Sequence, residues 1–204
     1  VYDYPSKEFE MMRKFALASA VAFAAGFAGV ASAEVSIGQK APAVEGVQDT
    51  SGAETSLKQL QGKKATVVAF TCNHCPVAVA YEDRFIEFAK AYKDKGVNFV
   101  AINANAGETT EEMKERVEEK DLPYPYVLDA DSSSAKEFGA TRTPELYVLD
   151  GQGNVVYHGA FDSNMDKAQA NDQYVVAAVE AVLAGKKPTV SETKAVGCGI
   201  KLAK

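Results

Sequence analysis

The spacing of apolar side chains changes several times along this chain, and each change predicts an element. Residues 65 to 71, Ala-Thr-Val-Val-Ala-Phe-Thr, form a short apolar β-branched run with the profile of a buried central strand. From 76 to 94 the spacing becomes three or four, so Val77, Tyr81, Phe85, Phe88 and Tyr92 line one face of a helix that Gly96 stops. Val97 to Ile102 reads as a second buried strand, and Asn103-Ala104-Asn105-Ala106-Gly107 as a loop. Thr109 with Glu112 predicts a capping box for a helix reaching Lys120. That helix has only Met113 and Val117 as an apolar stripe, so its glutamates read as a solvated face rather than an acid-base site. Pro123 to Leu128 predicts a short strand, Ser132 to Phe138 a short helix ended by Gly139, and Leu146 to Leu149 another strand. Asp150-Gly151-Gln152-Gly153-Asn154 is a hairpin turn into Val155 to His158. The last helix, 172 to 184, carries Val175, Ala178, Val179 and Val182 on one side and ends at Gly185.

Before the first strand, residues 37 to 61 are polar and turn-rich, which predicts a hairpin and one helical turn. Residues 186 to 204 read as a loosely held tail. The order is βαβα, a βα insert and a closing ββα unit, which predicts an α/β fold: a parallel core flanked by helices, with an antiparallel hairpin at one edge. Pro144 stands directly before a predicted strand, where a central position cannot spare the N–H. A cis Thr143-Pro144 bond would explain it.

With 47% hydrophobic and 25% charged residues in 204, the chain has globular composition, which excludes a disordered one. Its net charge of −6 comes without the clustered Lys and Arg that nucleic acid requires, so nucleic acid is excluded as a partner. Met11 and Met12 are followed by Arg13 and Lys14, then by an uncharged stretch to Ala33 that closes on Ala31-Ser32-Ala33. This is the pattern of a cleavable export signal, with the mature chain beginning at Glu34. Residues 1 to 10 precede a plausible start at Met11 or Met12 and receive no structural role. The stretch is rich in Ala and Gly rather than Leu, which argues against a membrane span that persists after signal cleavage. The expectation is an exported, periplasmic protein, in a compartment where disulfides persist.

Three cysteines are too few for a disulfide-built scaffold. Cys72-Asn73-His74-Cys75 falls where a strand hands over to a long helix, and a thiol at a helix N-terminus loses its proton more readily. Cys72 is expected at the exposed edge of the first turn as the nucleophile, with Cys75 turned inward to attack the mixed disulfide. His74, when protonated, would stabilise the thiolate. Half of a zinc site reads the same way, but the remaining ligands would have to come from Cys198 or His158, across a segment folded back over the helix mouth. No metal or other cofactor is predicted. His158 reads as structural, Arg142 as a surface salt-bridge partner, and Cys198 as packed against the domain, with a second resolving thiol or a ligand as its other roles.

Together with Ile37-Gly38-Gln39-Lys40-Ala41-Pro42 ahead of Ser56-Leu57-Lys58-Gln59-Leu60-Gln61-Gly62-Lys63, these motifs resemble the thioredoxin-like superfamily, in its redoxin branch of peroxiredoxin-like and TlpA-like exported proteins. The resemblance covers about residues 35 to 187, with 188 to 204 left as a C-terminal tail. It implies a four-stranded central sheet flanked by helices, Cys72 as attacking thiol, Cys75 as resolving thiol, and Pro144, after Thr143, as a cis-proline facing them. Two departures stand out. Thr71 replaces the Trp usual before the first Cys, and it lies one residue before Cys72, not the three that place a peroxiredoxin Thr. The expected activity is therefore thiol-disulfide oxidoreduction on protein thiols or disulfides, in exchange with a redox partner protein. A thiol peroxidase with antioxidant function and a metal-binding or delivery module are the alternatives.

Overall fold

The computed structural model describes residues 35–204; the expected signal at 11 to 33 and the segment upstream of it lie outside the described residues. The elements run β1 (Val47–Gln48), β2 (Glu54–Thr55), α1 (Leu57–Leu60), β3 (Ala65–Phe70), α2 (Pro76–Tyr92), β4 (Val97–Asn103), α3 (Thr110–Lys120), β5 (Tyr126–Leu128), α4 (Ser133–Phe138), β6 (Arg142–Thr143), β7 (Glu145–Asp150), β8 (Val155–Gly159), α5 (Tyr174–Leu183) and β9 (Cys198–Gly199). The predicted pattern of alternating units is therefore present, with ends shifted by a few residues. β5 starts later than expected because Pro123 and Pro125 have no N–H to place in a ladder.

The larger sheet is mixed and has the order β2-β1-β5-β4-β3-β7-β8. β3 and β4 run parallel from Ala65↔Val97 to Phe70↔Ile102, while β7 runs antiparallel to β3 from Phe70↔Glu145 to Ala65↔Asp150. The four strands that the resemblance implies become seven, because β5 extends the β4 edge and the opening hairpin β1-β2 pairs onto β5 through Gln48↔Leu128.

All six residues of β3 are buried, which is why that strand shows no polar alternation. Its pleat serves two cores. Val67 and Ala69 meet Tyr81, Phe85 and Phe88 of α2 and Val175 and Val179 of α5 on one face. Val68 and Phe70 meet Leu57, Phe138 and Tyr147 on the other. Thr109 forms the capping box with Glu112, and Gly96 takes the left-handed conformation (φ 83°) that ends the helix before β4.

The tail is not loosely held. Ser191 O accepts from His158 N (2.9 Å), Thr193 N donates to His158 O (3.0 Å), and β9 pairs antiparallel with β6. Ala203 N then donates to Ser132 Oγ (2.9 Å). On the tail's side these contacts are made by backbone groups and need no apolar periodicity, so the composition of the segment gave no sign of them.

One buried ion pair fixes α2 to the loop after β8. Arg84 Nη1 lies 2.6 Å from Asp162 Oδ2 and 2.8 Å from Asn164 O, Arg84 also donates to Met165 O, and Tyr81 Oη donates to Asp162 Oδ1 at 3.1 Å. Both side chains are almost fully shielded from solvent, so removing one leaves the other charge unpaired in the interior. Asp162→Ala is expected to cost about 3–5 kcal/mol of unfolding free energy. Urea denaturation followed by far-UV circular dichroism measures it, and a change below about 1 kcal/mol would contradict the role given to the pair.

Candidate active site

β3 delivers the motif. Thr71 N donates to Ile102 O (3.0 Å), which prolongs the ladder by one residue and sets Cys72 at the end of the strand. α2 begins only at Pro76, a residue suited to the first helical position because its missing N–H would be unpaired there. The N-cap is therefore Cys75, whose Sγ accepts from Ala78 N at 3.4 Å. Sequence reasoning placed Cys72 at the exposed edge of the first turn; in the structure Cys72 and Cys75 are both buried, at 6% and 2% exposure, and the helix end belongs to Cys75.

The Thr143–Pro144 bond is cis, as the sequence suggested. Thr143 faces both sulfurs: its Oγ1 lies 3.5 Å from Cys72 Sγ, and its carbonyl oxygen 3.0 Å from Cys75 Sγ. Behind it, Glu145 Oε2 accepts from Thr141 N (2.7 Å) and Arg142 N (2.8 Å), and Glu145 Oε1 meets His158 Nε2 at 2.6 Å. His158 is stacked on Tyr147, 8° from parallel, so its structural reading fits. Burial works against the Glu145 carboxylate, but His158 and the two amides outweigh it and hold its pKa below the usual range.

Glu108 is the charge that sequence reasoning missed. Its side chain is 6% exposed, and its Oε2 accepts from Asn73 N (2.9 Å) and Asn103 Nδ2 (2.6 Å). Tyr126 Oη donates to Asn73 Oδ1 (2.9 Å) on the same side. The exposed His74 has Nδ1 3.2 Å from Glu108 Oε1, so the imidazole faces a carboxylate. Only chain crossing reveals this, since Glu108 stands in a loop beside several other glutamates.

The two thiols ionise differently. Burial pushes Cys72 up; the Thr143 hydroxyl opposes this, and the Glu108 charge adds to it. Burial also opposes ionisation of Cys75, but hydrogen bonds from Cys198, from Ala78 N–H and from the Thr143 hydroxyl overcome it, and the pKa falls below the ordinary thiol value. The expectation of a depressed Cys72 pKa is thus reversed: the stabilised thiolate is that of Cys75.

Cys198 lies inside the site, with its Sγ 2.6 Å from Cys75 Sγ. Arg142, expected in a surface salt bridge, donates through Nη1 to Gly197 O at 3.5 Å. A cleft of about 310 Å³ is lined by Cys72, His74, Cys75, Asn105, Glu108 and Cys198, among others. Among the described residues, no group of three or more His, Cys, Asp or Glu side chains is placed to hold a metal ion.

Thr143 thus contacts both sulfurs, Cys72 through its hydroxyl and Cys75 through its carbonyl, and a cysteine pair held in this way before a cis proline places the protein among the thiol-disulfide oxidoreductases of the thioredoxin-like fold. Comparison with known proteins gives the family: the model of the Redoxin family matches residues 36–174, and the chain belongs to that family. It is similar to the thiol-disulfide oxidoreductase ResA of Bacillus thuringiensis subsp. konkukian, at 29% identity over 125 residues, covering 60% of this chain and 69% of the relative. Among solved structures, an uncharacterized conserved protein from Geobacillus kaustophilus superposes with TM-score 0.76 at 31% identity, covering 81% of this chain and 92% of its own. A hypothetical protein from Sinorhizobium meliloti 1021 superposes with TM-score 0.76 at 32% identity, covering 83% and 96%.

Two measurements check these electrostatics. Thiolate absorbance at 240 nm, titrated in the reduced Cys72→Ser and Cys75→Ser variants, is expected to keep its low-pH transition in Cys72→Ser and to lose it in Cys75→Ser; the opposite result would return the stabilised thiolate to Cys72. For Glu145, a pKa lowered by folding contributes stability that is complete above the unfolded carboxylate range and is lost as pH falls through the folded value. Glu145→Gln is expected to lower stability by about 1–3 kcal/mol at pH 7, with the difference shrinking in acid. A deficit that stays constant with pH would show that the charge is not involved.

Proposed function

We propose that the protein is an exported thiol-disulfide oxidoreductase in which Cys72 attacks and Cys75 resolves. The single observation that carries this reading is the packing of both sulfurs on Thr143, directly before the cis Pro144. Cys72 thiolate attacks a disulfide, one substrate sulfur leaves and takes up the proton that Cys72 gave up, and a mixed disulfide joins Cys72 to the other. Cys75, favoured as thiolate at the helix N-cap, then attacks Cys72 Sγ and releases the second substrate thiol. The substrate leaves reduced by two electrons, and Cys72–Cys75 is left as a disulfide. A redox partner protein returns the pair to the dithiol, and the same steps in reverse oxidise a dithiol substrate.

His74 acts in this reading through Glu108, which it meets across the cleft mouth, and Thr143, directly before Pro144, offers its hydroxyl to Cys72 and its carbonyl to Cys75. A protein substrate is favoured by a cavity of about 590 Å³ beside Pro144, lined in part by Val77, Tyr81, Phe161, Met165 and Val196, with Met165 and Val196 well exposed. Export to the periplasm rests on the basic start at Arg13-Lys14, the uncharged stretch after it and the Ala31-Ser32-Ala33 site. Among the described residues no helix is long and apolar enough to cross a membrane.

The test is reduction of insulin disulfides by the mature protein with dithiothreitol as reductant. Cys72→Ser is expected to fall to the uncatalysed rate, a loss on the order of 10³-fold or more. Cys75→Ser should accumulate a mixed disulfide through Cys72. Full activity in Cys72→Ser would overturn the assignment of the attacking thiol, and no activity in the unaltered protein would overturn the function.

A further inference from the structure

The backbone ahead of Pro144, which in the reading above supports a substrate, is already paired with the protein's own tail. Thr143 stands opposite Cys198 and Arg142 opposite Gly199 in the β6-β9 ladder. Gly197 approaches so closely that a Cβ there would lie 2.0 Å from Thr143 O. Farther along, Ile200 N donates to Thr141 O (3.0 Å), Ala106 N to Lys201 O (2.7 Å), and Lys201 N to Asn105 Oδ1 (2.9 Å). The tail therefore crosses the cleft, bonded to both walls, and carries a thiol to within 2.6 Å of Cys75 Sγ.

We propose that Cys198 is a third redox thiol, which exchanges with the Cys72–Cys75 disulfide at Cys75 and so moves the disulfide between a Cys72–Cys75 and a Cys75–Cys198 pairing. This rests on the dithiol chemistry of the preceding section. In the step, Cys198 thiolate attacks Cys75 Sγ, the Cys75–Cys72 bond breaks, and the Cys75–Cys198 bond forms. Cys72 leaves as thiolate and takes up the proton that Cys198 gave up. No electrons enter or leave, so no outside oxidant is needed.

Two features favour the step. The tail's backbone bonds fix the attacking sulfur beside its target, which converts a bimolecular encounter into a local one. Cys198 is also the most exposed of the three thiols, since Cys72 and Cys75 are buried. In the Cys75–Cys198 form, a partner thiol can attack Cys198 and expel Cys75. Cys75 is the leaving group of the two because it sits at the N-cap of α2, where Ala78 N–H still donates to its sulfur. The buried pair thereby gains an outlet at the cleft mouth, and Cys72 is left free while the protein stays oxidised.

Disulfide mapping in the full mature chain tests this. Cys198→Ser, Cys72→Ser and Cys75→Ser each retain two thiols; they are oxidised with oxidised dithiothreitol, acid-quenched, alkylated and mapped by mass spectrometry. The expected result is an intramolecular Cys75–Cys198 disulfide in most Cys72→Ser molecules, a Cys72–Cys75 disulfide in Cys198→Ser, and none in Cys75→Ser. If Cys198→Ser forms its disulfide while Cys72→Ser keeps both thiols or cross-links only between molecules, the third-thiol role fails and the dithiol chemistry stands. A Cys72–Cys198 disulfide in Cys75→Ser would also overturn it, because Cys75 would not be the shared partner. If Cys198→Ser forms no disulfide, the dithiol reading itself fails. The unaltered protein supplies a control independent of variant folding: its oxidised form should yield the Cys75–Cys198 peptide with alkylated Cys72, and complete absence of that peptide would overturn the exchange.

Discussion

Thr143 lies where three parts of the molecule must agree, and the peptide after it has no N–H to offer because Pro144 follows. Its hydroxyl faces Cys72, its carbonyl faces Cys75, and its backbone pairs with Cys198. Moving this residue would disturb all three thiols at once. Its own position is secured from behind: Glu145 gathers the amides of Thr141 and Arg142 on one carboxylate oxygen and His158 on the other. The chemistry at the front of the cleft thus depends on a carboxylate behind it that touches no sulfur.

The same dependence shapes the charge distribution. A helix N-terminus favours a negative group, and the chain gives that place to Cys75 rather than to Cys72. Glu108, buried on the opposite side, adds a negative charge that opposes ionisation of Cys72. Two thiols three residues apart in sequence therefore sit in fields of opposite tendency. For a dithiol enzyme this asymmetry separates a thiol that must give up its proton before it opens a substrate disulfide from one that is ready to resolve the mixed disulfide or to leave.

Much of this architecture was legible in the sequence. The uniform apolar run of β3, the three-and-four spacing of α2, the Thr109 and Glu112 capping box and the Asp150 to Asn154 turn each encode their element locally, and each appears where expected. The cysteine pair and the proline that faces it were also readable, because spacing and misplacement are properties of neighbours in the chain. What escaped were relations across the chain. Glu108 comes 36 residues after Cys72 in number but lies beside it only because β4 is parallel to β3. Cys198 meets Cys75 across 123 positions. The tail's attachment is written in backbone hydrogen bonds, which leave no hydropathy signature, so a segment that reads as loose is the one that covers the site.

The tail's two tightest passages both fall at glycines. At Gly159, where φ is 141°, an added Cβ would meet Thr193 at 2.3 Å, and at Gly197 it would meet Thr143 at 2.0 Å. The seat of the tail is thus specified by side chains that are missing as well as by those that are present. At Gly197 a change to alanine, the mildest by polarity or size, would push the tail off Thr143 and withdraw the neighbouring sulfur of Cys198 from the cleft. By contrast Val196, a much larger residue next in line, is two-thirds exposed and has room to vary. In this part of the molecule, tolerance to substitution runs opposite to bulk.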